Sequence, residues 1–103
     1  NRPLADIILG DLHHTTFDQK IGKMLTRLIE NFDFSVAWNS PYAGGYITKN
    51  YGRAHSKQQS IQIEINRRLY MSRKYELNEE GVIRVSSLIK QLCAALSDIP
   101  AKF

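Results

Sequence analysis

ADIILGD, Ala5 to Asp11, is the stretch from which the fold of this chain can be read. Ile7, Ile8 and Leu9 follow one another with no polar residue between them. A short unbroken apolar run closed by Gly-Asp reads as a buried strand, Ala5 to Leu9, with the chain turning at Gly10 and Asp11. A strand with no polar alternation has to be covered, so the flanking sequence should supply helices.

It does. Thr16 and Gln19 have the capping-box spacing and predict a helix that starts at Thr16. Ile21, Met24, Leu25, Leu28, Ile29 and Phe32 recur at the spacing of one apolar helix face. Gly22 inside this helix weakens it without breaking it. FSVAW, Phe34 to Trp38, is a second strand, ended by Asn39-Ser40-Pro41. A long irregular segment follows, NSPYAGGYITKNYGRAHSKQQ, of the kind that is often functional in a small domain.

Ser60 to Asn66 reads as a third strand. Ile61, Ile63 and Ile65 alternate with Gln62, Glu64 and Asn66. The last helix starts after Asn78, an N-cap residue, with Glu79 and Glu80 at its positive end. Val85, Leu88, Ile89, Leu92, Cys93 and Leu96 form its stripe, which places Cys93 in the core, and Pro100 ends it. The order strand, helix, strand, loop, strand, helix predicts an α/β fold, a partial three-layer sheet with mainly parallel strands. Three strands make a small sheet, so residues 1–103 read as a single domain or a fragment of a larger one.

Composition narrows the class. The 103 residues are 43% hydrophobic and 23% charged, with one cysteine. No apolar run is long enough for a transmembrane helix, and no membrane partner is expected. A lone cysteine excludes an internal disulfide framework and fits a reducing compartment, with cytoplasm the expected location. The net charge of +4 is dispersed apart from Arg67, Arg68, Arg73 and Lys74. Scattered basic residues are a solvated surface, so no nucleic-acid partner is expected.

In open α/β sheets, ligands bind beyond the carboxyl ends of the strands. That rule selects Gly10 to His14, Asn39 to Tyr46 and Glu64 to Arg67, expected to converge on one rim. Glu64 is the candidate general base, because a partly desolvated carboxylate suits taking a proton from water. His13 and His14 are consecutive and point opposite ways, so they do not grip one metal together. His13 reads as a polar group on the rim, His14 and His55 as surface residues. A zinc site needs three or four ligands, and these three histidines with one cysteine have no metal-motif spacing. Gly44-Gly45 lets backbone N–H groups approach a ligand, because no Cβ blocks them. Ser40 and Ser56 have no histidine and acid with which to form a hydrolytic triad.

Several separated segments match one family. RPLADIILGD (Arg2 to Asp11), His13 after it, NSPYAGGYITKNYG (Asn39 to Gly52) and QIEINRRLYM (Gln62 to Met71) together resemble the C-terminal portion of the N-formylglutamate amidohydrolase family. The final helix fits as well. The resemblance implies the C-terminal half of a hydrolase fold similar to zinc carboxypeptidases and aspartoacylase. It implies a small-molecule N-acyl amino acid as substrate, with N-formyl-L-glutamate cleaved to glutamate and formate in histidine degradation. It implies Glu64 as general base and Asn66 and Arg67 as holders of the substrate carboxylates. Asn39, Tyr42, Gly44, Gly45 and Tyr46 match the loop that closes over the site.

The sequence departs from the family in two places. The zinc ligands that the resemblance implies lie mainly in the family's N-terminal half, in motifs upstream of Arg2, so this chain is expected to be a fragment that holds no zinc site by itself. His14 stands where the family pattern favours glycine. The alternative reading is a catalytically inactive truncated domain that binds a small anion, or self-associates into a homo-oligomer through an exposed sheet edge.

Overall fold

Strand β1 (Ile7–Gly10) is buried along its whole length. The computed structural model describes residues 4–41, 43–45, 50, 52–53 and 59–98. Around β1 lie helix α1 (Gln19–Asn31), strand β2 (Val36–Trp38), strand β3 (Gln62–Ile65), a 3₁₀ turn (Arg67–Leu69) and helix α2 (Glu79–Ser97). The strands are shorter than the sequence pattern implies, because their ends leave the ladder for turns.

The sheet order is β2-β1-β3. β2 runs parallel to β1, pairing Ile7 with Val36 and Leu9 with Trp38. β3 runs antiparallel to β1, pairing Gly10 with Gln62, Ile8 with Glu64 and Ile7 with Ile65. The sheet is therefore mixed, which corrects the expectation of mainly parallel strands. The reason lies just before β3. Ser60 N–H donates to the Thr16 carbonyl at 2.9 Å, and Thr16 Oγ1 donates to the Ser60 carbonyl at 2.8 Å. These bonds deliver the start of β3 to the carboxyl end of β1, so the strand must run back.

Alternate residues of β1 serve opposite faces. Ile7 and Leu9 join Leu25 and Ile29 of α1 and Val85, Leu88 and Leu92 of α2 in one core, with Phe17 and Phe34. Ile61, Ile63, Ile65, Val36 and Trp38 pack against it. Both helices thus cover the same face, and the described residues form two layers rather than three. Each fully buried Leu or Ile stabilises the fold by roughly 1.5–3 kcal/mol. The other face carries Ile8, Gly10, Ala37, Gln62 and Glu64.

The helix starts divide between expectation and correction. Asn78 caps α2 as read, its side chain accepting from Gly81 N–H at 3.2 Å. α1 is capped by Asp18 rather than Thr16, accepting from Lys20 N–H at 2.8 Å and Ile21 N–H at 3.2 Å. Thr16 is buried and occupied with Ser60. The stripes are narrower than their periodicity implies: Met24 and Ile89 stand about two-fifths exposed, and Cys93 is exposed, not in the core. Each is one residue, about 100° of helix, from a buried neighbour: Leu25, Leu88 and Leu92. α2 ends at Ser97, and Pro100 lies outside the described residues. No helix among the described residues is long and apolar enough to cross a membrane.

Candidate functional site

At the carboxyl end of β1 the chain enters three consecutive residues of positive φ, Leu12 (49°), His13 (57°) and His14 (69°). Non-glycine residues adopt this left-handed region at a cost, so something must hold them there. Asp11 does so. Its carboxylate is 1% exposed and accepts from His14 N–H at 2.7 Å, His14 Nδ1–H at 3.0 Å and Asn39 Nδ2 at 2.9 Å. A buried charge needs such bonds to offset its desolvation. Asn39 returns one, its Oδ1 accepting from Asp11 N–H at 3.0 Å. Asn39 itself has φ 56°, a value asparagine tolerates better than most residues. Leu12 N–H donates to the Ala43 carbonyl at 2.7 Å. The turn after β1 is therefore tied by hydrogen bonds to Asn39 and to Ala43, which joins two of the segments that the strand-end rule selects.

The face away from the helices holds Glu64. A Cβ on Gly10 would lie 2.8 Å from the Ala43 carbonyl carbon, so only glycine admits the 43–45 segment so close. A Cβ on Gly45 would meet Gln62 Oε1 at 3.1 Å. Gln62 Nε2 donates to Glu64 Oε1 at 2.9 Å. Ala43 to Gly45, Gly10, Gln62 and Glu64 thus gather on one side of the sheet. The half-buried Glu64 carboxylate is oriented there by its neighbour Gln62.

Asn66 and Arg67 are placed differently from the sequence expectation. Because β3 is antiparallel, its first residue, not its last, approaches Gly10. The three strand ends do not share a rim. Asn66 Oδ1 caps the 3₁₀ turn, accepting from Arg68 N–H at 3.1 Å. The Arg67 guanidinium lies 5.1 Å from the Tyr75 ring centroid. Arg68 pairs with Asp6 at 2.6 Å and donates to the Leu4 carbonyl at 2.9 Å. A basic cavity of about 350 Å³ forms here, lined by Asn66, Arg67, Arg68 and Arg73 with Met71, Ser72 and Tyr75.

Among the remaining candidates, His13 is exposed on the rim, and Tyr42, Tyr46 and His55 lie outside the described residues. His14, read from sequence as a surface residue, is exposed, and its side chain also bonds to Asp11. The available signal was its spacing, an aspartate three residues before it in a turn, which favours local side chain to backbone bonds. The zinc implied by the resemblance does not fit the described residues. No three His, Cys, Asp or Glu side chains among them converge as a metal would require.

No curated protein matches the chain. The crystal structure of N-formylglutamate amidohydrolase from Ralstonia eutropha JMP134 matches with a TM-score of 0.77 and 34% sequence identity. The match covers 93% of this chain and 35% of that one, so this chain spans about a third of the solved relative's length. The family described as N-formylglutamate amidohydrolase matches residues 1–71, more than half of the 103. By that match, the chain belongs to the N-formylglutamate amidohydrolase family.

Proposed function

We propose that this chain supplies the general base and part of the substrate platform of a hydrolase that cleaves N-formyl-L-glutamate, or a similar N-acyl amino acid, to the amino acid and formate. The observation that carries this reading is Glu64, oriented by Gln62 on the face shared with Gly10 and the 43–45 segment. Glu64 takes a proton from a water molecule, and the hydroxide adds to the formyl carbon. Glu64 then returns that proton to the nitrogen as the C–N bond breaks, releasing formate and the free amine.

The substrate carboxylates go to Asn66 and Arg67 in this proposal, which requires the substrate to lie along β3. Glu64 and Asn66 are two residues apart, about 7 Å at the rise of a strand. An extended glutamyl group is of that length, and the neighbouring arginines favour its charge.

The test is formate release from N-formylglutamate by the whole protein, wild type and Glu64→Gln. Loss of a general base costs about 10²–10⁴-fold in rate. A Glu64→Gln protein with undiminished kcat would end this reading. A second reading rests on the sheet, in which β2 and β3 are the outer strands among the described residues. Two copies pairing along one of these edges would run as a dimer in light scattering, and a strict monomer excludes it.

A further inference from the structure

We propose that the cavity between the carboxyl ends of β1 and β2 and the first turns of α1 binds a small organic carboxylate. It is lined by Asp11, His14, Gln19, Gly22, Lys23 and Trp38 and has a volume of about 230 Å³. It lies on the helix side of the sheet, because Trp38 packs against the core while Glu64 points to the other face. It is therefore separate from the site proposed for amide cleavage.

The lining has a defined division of labour. The Trp38 indole N–H already donates to Thr26 Oγ1 at 2.9 Å, so its ring offers the cavity apolar surface. Gly22 makes room for that ring: a Cβ there would lie 2.9 Å from the Trp38 Cη2. The glycine that weakens α1 on paper thus permits the indole to lie against the helix. The His14 ring stands 5.8 Å from the Trp38 ring, tilted by 47°.

Asp11 does not compete with an anion. Its carboxylate is buried and shared among three donors. A carboxylate only accepts, so His14 Nδ1 carries the hydrogen of their bond, and Nε2 is the nitrogen left for a ligand. Lys23 adds a cation and Gln19 an amide. One cation beside an aromatic wall suits a monoanion with an apolar body. A phosphate would call for several charged donors, which this cavity lacks. The volume agrees: a cavity of about 150 Å³ accepts benzene, whereas drug-sized ligands use about 300–1,000 Å³. A benzoate-sized acid lies between these bounds.

Trp38 is the only tryptophan in the chain, so its indole N–H resonance reports on this cavity alone. The experiment titrates the ¹⁵N-labelled chain with benzoate, benzamide and inorganic phosphate at constant ionic strength. The expected result is a saturable shift of the Trp38 signal with benzoate. Affinity should fall roughly tenfold or more in Lys23→Met and in His14→Gln, and stay unchanged in Glu64→Gln. Spectral dispersion of each variant checks its fold, with Lys23→Gln as the second variant at the exposed lysine. The proposal is overturned if benzoate gives no saturable shift, if benzamide binds equally, if phosphate binds more tightly, or if both Lys23 variants bind as the wild type does.

Discussion

Asp11 and Asn39 close a two-way hydrogen bond across the carboxyl ends of β1 and β2, Asp11 N–H to Asn39 Oδ1 at 3.0 Å and Asn39 Nδ2 to Asp11 Oδ1 at 2.9 Å. Asn39→Ala removes both bonds and puts alanine at a φ of 56°. The expected loss is about 3 kcal/mol, from an unsatisfied buried group and a left-handed residue together. Asn39→Gly loses the bonds but not the backbone fit, so it should cost about 1 kcal/mol less. Urea unfolding with an unchanged m-value measures both, and equal stability of the two variants would refute the backbone term.

The glycines separate packing against backbone from packing against a side chain. A Cβ on Gly81 would overlap the Leu69 carbonyl oxygen, whereas one on Gly22 meets the far end of the Trp38 ring. A carbonyl held by the 3₁₀ turn yields less readily than an indole. Gly81→Ala should therefore destabilise by about 3 kcal/mol or more and Gly22→Ala by clearly less. Thermal unfolding of the two variants ranks them, and the reverse order would contradict this account of the α2 contact.

Cys93 is exposed on α2, one residue beyond the buried Leu92. It should react with a thiol reagent in the folded protein at the rate of a free surface thiol. Cys93→Ser should change stability by less than about 0.5 kcal/mol. A thiol that reacts only in denaturant would restore the core placement that periodicity implies.

Arg67 and Glu64 should divide the kinetic constants if the proposed reaction holds. Arg67→Ala removes a carboxylate contact made in both ground and transition states, so KM should rise roughly tenfold or more with little change in kcat. Glu64→Gln should lower kcat with little change in KM. Formate release at varied substrate concentration distinguishes these patterns. Unchanged KM in Arg67→Ala would mean that the substrate does not extend along β3.

By itself, the sequence determined the elements and their faces. The unbroken run at Ile7 to Leu9 specified a buried central strand, the 3.6-residue stripes specified two helices, and Asn78 specified where the second begins. The ordered motifs from Arg2 to Met71 specified the family. Only the tertiary structure decided the direction of β3. Alternation of Ile61, Ile63 and Ile65 with Gln62 and Glu64 looks the same read either way along a strand, so it assigns faces and not polarity. The Thr16–Ser60 bonds settle that polarity, and with it they place Gln62 near Gly10 and send Asn66 and Arg67 to the opposite end. The exposure of Cys93 was equally out of reach. It depends on which neighbour occupies the space around the side chain, and periodicity along one element carries no record of that.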